Sequence, residues 1–175
     1  MRRLPVLLLA CAVIAPAAKS QTPVSAPVAS APSSTATIAE APVVNGRADL
    51  QAPIDKVWDA LPAAYRSLSI PITVNVPANH VIGTERMRTH RYLGDVRLSK
   101  FLSCGETAGG QNADTYDVNL SMVTQLQPNA AGGTTVMTAV SAAAKPGNVA
   151  GQYASCMSTG QLETRLVRFI ESQLR

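Results

Sequence analysis

Aromatic side chains make up only 4% of this 175-residue chain, with one Trp and two Phe, and 15% of its residues are charged. A core with so few rings buries less apolar area per residue, so a domain built from it gains from a covalent constraint. There are two histidines, His80 and His90, and three cysteines, Cys11, Cys104 and Cys156. No C-x-x-C or H-x-x-x-H pair is present to preorganise two zinc ligands. Neither histidine lies in a recognisable protease context, which leaves a Cys104 nucleophile without an evident base. No catalytic residue, metal or cofactor is therefore assigned. The apolar run Leu4–Ala18 has fifteen residues and contains Pro5 and Pro16, short of the ~20 needed to cross a bilayer. No transmembrane span is expected in the mature chain.

What is present at the N-terminus indicates a compartment. Met1-Arg2-Arg3, the apolar run and the small-x-small ending Ala18-Lys19-Ser20 read as a secretory signal peptide over residues 1–20, with cleavage before Gln21. Leu8-Leu9-Ala10-Cys11 also resembles a bacterial lipobox, an alternative in which Cys11 is lipidated. Either way the chain is expected to be exported, periplasmic or outer-membrane-associated. Arg2, Arg3 and Lys19 leave with the signal, so the formal charge of +4 falls to twelve basic against eleven acidic residues, a net of +1. Nothing in that balance points to nucleic acid. Residues 21–44 are almost entirely Pro, Ala, Ser, Thr and Val with one charge, a composition that cannot bury enough surface to offset the cost of ordering, and they read as a tether. Residues 45–175 are close to the commonest single-domain size.

Within that domain, Gly46–Ala52 alternates as a short strand into Pro53. Ile54, Val57, Trp58, Leu61, Tyr65 and Leu68 then recur on one helical face, with Pro62 predicting a kink or restart. Ile72–Val76 and Val81–Arg91 read as strands around the turn Pro77-Ala78-Asn79. The alternation of Tyr116, Val118, Leu120, Met122, Thr124 and Leu126, followed by a Pro/Asn/Gly turn and the β-branched Thr134–Ala144, predicts an antiparallel hairpin over 115–144. Leu162, Leu166, Phe169, Ile170 and Leu174 form the stripe of a C-terminal helix, with Ser158 and Gln161 as a capping box. The fold class is α+β.

This layout, carried by DLQAPIDKVWDAL, VNVPANHVIGTERM and the closing GQLETRLVRFIESQL, resembles helix-grip envelope domains, particularly those of the outer-membrane assembly lipoprotein BamC. The resemblance implies a curved antiparallel sheet packed around the long C-terminal helix and a scaffold role without catalysis.

Removal of Cys11 leaves an even pair in an oxidising compartment, and a Cys104–Cys156 disulfide is the default expectation. Closing a loop of about 53 residues stabilises by roughly 4 kcal/mol on the chain-entropy model. The glycine-containing TAGGQNAD (107–114) lacks the Lys and the strand–loop–helix frame of a phosphate cradle and reads as a surface connection. Asp114 and Asp117, three apart along a strand, point to opposite faces and so do not converge as a catalytic carboxylate pair. The one local charge cluster is TERMRTHRYLGDVRLSK (84–100). There Arg86, Arg88 and His90 are expected on one strand face, with Val81 and Met87 on the other, giving a candidate binding face for an envelope protein or an anionic envelope component. The alternative is a helix-grip pocket taking a small apolar molecule between sheet and C-terminal helix; composition says nothing of oligomeric state.

Overall fold

The computed structural model describes residues 44–147 and 149–175; the expected signal peptide, Cys11 and the tether up to residue 43 lie outside the described residues. Element order is β1 (Val44–Leu50), α1 (Ile54–Ser67), β2 (Val74–Val76), β3 (Val81–His90), β4 (Tyr92–Leu93), β5 (Val96–Arg97), β6 (Leu102–Ser103), β7 (Glu106–Thr107), β8 (Gly110–Gln111), α2 (Asn112–Thr115), β9 (Asp117–Pro128), β10 (Thr134–Lys145), β11 (Ala154–Ser158) and α3 (Gln161–Gln173). The fold is α+β, an open antiparallel sheet with a C-terminal helix.

The sheet grows from the β9–β10 hairpin, whose register runs unbroken from Pro128 opposite Thr134 to Asp117 opposite Lys145. β3 and then β2 extend the β9 side. On the other side of β10, β1 pairs with Thr134–Val140 and β11 with Ala142–Ala144, so two strands share one edge end to end. Period-two alternation decides which face is dry. Val118, Leu120, Met122, Thr124 and Leu126 of β9 and Val136, Thr138, Val140, Ala142 and Ala144 of β10 are all buried, whereas the intervening positions of β9 from Asp117 to Gln125 and of β10 from Met137 to Lys145 are half-buried.

Both long helices cover the dry face. α1 contributes Val57, Leu61, Ala64 and Tyr65, and α3 contributes Leu162, Leu166 and Ile170, all fully buried. α1 runs without interruption through Pro62, so the expected restart does not occur. Proline inside a helix costs ~3 kcal/mol, and the buried stripe on both sides of Pro62 holds the helix together across it. Pro53, extended at φ −60°, offers its carbonyl to the amides of Lys56 and Val57 and starts that helix.

A chain of hydroxyls crosses this otherwise apolar layer. The Tyr65 hydroxyl lies 2.9 Å from Thr124 Oγ1, which is 3.1 Å from Thr138 Oγ1. Burial pushes the Tyr65 phenol up to about 12, against the lowering effect of its hydrogen bonds to Thr124. At α3 the expected Ser158–Gln161 box is replaced by a different cap. Gly160, at φ +79°, precedes the helix, and Ser158 Oγ accepts from the Gly160 amide while donating to the carboxylate of Glu163 rather than engaging Gln161. The stretch 107–114, expected as plain surface connection, contributes to the small β7–β8 hairpin and to the start of α2.

Candidate functional site

The face of the sheet opposite the helices carries half-buried side chains along β9 and β10, many of them small. Across its middle run Gly83, Val123 and Ala139, followed by Ser121 beside Ser141 and Asn119 beside Ala143. Met157, 57% exposed, projects from β11, and half-buried Met137 lies beside Gln125. Gly83 lets β3 lie this close to β9. A Cβ there would fall 2.4 Å from the Met122 carbonyl oxygen and 2.8 Å from the Val123 Cα.

One end of this face carries the basic strip, and a β-bulge builds it. Ile82 and Thr84 pair with Thr124 and Met122, but Met87 then pairs with Leu120, so Glu85 and Arg86 together oppose Ser121. The bulge inverts the alternation. Val81, opposite Gln125, therefore lies on the face away from the helices while Met87 lies on the core side, which corrects the expectation that these two share a face. Arg88 and His90 stay on the face away from the helices, opposite Asn119 and Asp117. Arg86 sits in the bulge at φ +52°, its amide donating to Ser121 Oγ at 2.9 Å. A left-handed conformation costs a residue with a Cβ roughly 1–2 kcal/mol, here taken up by an exposed arginine.

Sequence reasoning missed Asp117 as the anchor of the strip. Arg88 Nη2 donates to Asp117 Oδ2 at 2.6 Å, and His90 Nδ1 lies 3.7 Å from Oδ1. The hydrogen bond from Arg88 holds the Asp117 carboxyl below the usual carboxylate range, with further help from the charges of Arg88, His90 and Lys145, and the same contact raises the Arg88 guanidinium. The cation of Lys145, across the strand from Asp117, stacks 5.2 Å from the Tyr153 ring centre. Among the described residues Arg86 has no ion-pair partner. Asp117 thus neutralises Arg88.

The remaining candidates are engaged elsewhere. Cys104 and Cys156 are joined in a disulfide with Cα atoms 4.2 Å apart, so neither is a thiolate. It ties the segment after β6 to β11, just ahead of α3. The His80 ring meets Trp58 edge-on at 5.6 Å. Asp114 belongs to α2 rather than to a strand and is buried, accepting from the amide and hydroxyl of Ser99 at 2.9 and 2.8 Å, with Arg97 at 3.6 Å. Burial alone would raise its pKa, but the Ser99 hydrogen bonds and Arg97 together lower it. Among the described residues no group of three His, Cys, Asp or Glu side chains is placed to hold a metal ion, and no helix is long and apolar enough to cross a membrane.

A groove of about 500 Å³ runs between β1 and the flank of α3, lined by Gly46, Ala48, Glu163, Thr164, Val167 and Glu171 among others. It lies beside the helix rather than beneath its buried stripe. No family model and no curated protein matches the sequence. Among solved structures the chain is similar to one described as the crystal structure of a conserved protein from Geobacillus kaustophilus, with a TM-score of 0.40 and 13% identity over 76% of this chain and 95% of that one. At that level the likeness carries no functional argument.

Proposed function

We propose that this protein is a non-catalytic binding or scaffold module of the bacterial cell envelope. It presents the sheet face opposite the helices and the strip Arg86, Arg88 and His90 to an acidic envelope protein. The observation that carries this reading is the bulge in β3. It holds Arg86 in a costly left-handed conformation at the edge of a sheet face whose Val123, Gln125, Met137 and Ala139 are only half-buried, and strain kept at an exposed charged position is characteristic of recognition sites. A disulfide that suits an oxidising compartment, together with the signal-like N-terminus, supports a periplasmic or outer-membrane-associated location. The helix-covered sheet is consistent with the resemblance to the helix-grip domains of BamC. A pocket for an apolar molecule beneath the C-terminal helix has less support, because Leu162, Leu166 and Ile170 are fully buried in a packed core.

The test is affinity capture from envelope extract by the immobilised exported protein, followed by hydroxyl-radical footprinting of the complex. Protection of Met137 and Met157, with loss of capture on Arg86→Gln/Arg88→Gln, is the expected result. Protection confined to the α1 and α3 side would overturn the proposal.

A further inference from the structure

The flank of α3 carries a feature that the sheet face does not use. Glu163 is a carboxylate with a residue exposure of 5%, and its two oxygens share one donor, the hydroxyl of Ser158, at 2.8 and 3.0 Å. A hydroxyl has one proton, whereas a carboxylate offers about four acceptor sites. None of the ion pairs among the described residues includes Glu163, and Arg47, which lines the same groove, turns to Asp49 at 3.7 Å. A buried carboxyl with acceptor sites unfilled is costly unless a partner arrives.

The side chain borders the β1–α3 groove, whose volume of about 500 Å³ falls in the range of small-molecule sites. Gly46 makes its position possible. A Cβ at residue 46 would lie 2.7 Å from Glu163 Cβ and 2.9 Å from Cγ, so any other residue would push the carboxylate-bearing stem off the strand. Two helical turns further on, Glu171 adds a second carboxylate to the same groove, and Val167 and Ala48 supply an apolar wall between strand and helix. Arg168 also lines the groove, and its exposed side chain leaves the buried acid unpaired.

We infer that this groove binds a primary ammonium carried on a short aliphatic chain, with Glu163 as its counter-charge. The ammonium donates to the Glu163 carboxylate at an acceptor site that the single Ser158 proton does not fill, and the methylenes lie along Val167 and Ala48. This site is separate from the basic strip, and neither reading depends on the other.

The experiment is an NMR titration of the exported protein with n-hexylamine and, separately, n-hexanol, following the amides of Gly46, Thr164 and Val167. Saturable shifts at these amides with the amine and none with the alcohol are expected. Glu163→Gln, which keeps the shape and a partner for Ser158, should weaken amine binding about tenfold or more, since a charge-assisted hydrogen bond is lost. Arg86→Gln/Arg88→Gln should leave it unchanged. Equal responses to amine and alcohol, or no saturable response to either, overturn the inference on the unaltered chain, whether or not the Glu163 variant folds. Undiminished amine affinity in a folded Glu163→Gln protein overturns it as well.

Discussion

Tyr65 is the largest of the fully buried side chains, and its hydroxyl is the start of the Tyr65–Thr124–Thr138 chain. A pKa raised from 10.0 to about 12 means the folded protein keeps this proton after the unfolded chain has lost it. The associated stability is intact below pH 10 and is lost as pH rises from there towards 12, by about 2–3 kcal/mol in all. In urea titrations between pH 8 and 11, Tyr65→Phe should remove that slope and cost about 1 kcal/mol at pH 8 through the lost hydrogen bond. Asp114 works in the opposite direction. Its depressed pKa contributes stability above the ordinary aspartate range, and that contribution disappears as pH falls through the lower folded value. Asp114→Asn should therefore destabilise by about 1–3 kcal/mol at pH 7, because Ser99 loses a charged acceptor. The difference from the parent should shrink in the same titration carried to pH 3.

At the scale of elements, the disulfide is the clearest case of one segment constraining another. It spans 52 positions and fastens the segment after β6 to β11 at the entrance to α3. Replacing both Cys104 and Cys156 by Ser should lower unfolding free energy by about 4 kcal/mol on the chain-entropy model, read from denaturant midpoints at constant slope. This pairing was legible in the sequence because the expected loss of Cys11 with the signal leaves an even pair, for which a disulfide is the default expectation. β9, β10 and α3 were equally legible, since each carries a long uninterrupted period that only one element type satisfies. The strip was legible only in part. Alternation gives Arg88 and His90, but a bulge is one extra residue with no compositional mark, and TERMR contains no glycine to announce the positive φ at Arg86. Asp117 escaped for a related reason. Its partner Arg88 lies 29 positions away, and only the β3–β9 register brings the two together.

Taken as a whole molecule, the domain divides its labour between two faces of one sheet. One face is sealed by α1 and α3 around a core rich in Leu, Val, Ala and Thr. The other presents small residues and ends in charge. Exposed charges contribute little to folding, so the strip can be altered without disturbing the sealed face. The most direct measurement is the affinity of Arg86→Gln/Arg88→Gln for the captured acidic partner across a salt series, set beside that of the unaltered protein. Charge attraction between exposed surfaces is screened over about 8 Å at physiological ionic strength. A binding strip therefore predicts weaker affinity at low salt and a flatter salt dependence for the variant, with a melting midpoint lowered only by the loss of the Arg88–Asp117 pair, worth about 0–1 kcal/mol. Superimposable affinities for the two proteins at every salt concentration would contradict it and leave Arg86, Arg88 and His90 as a solubilising surface.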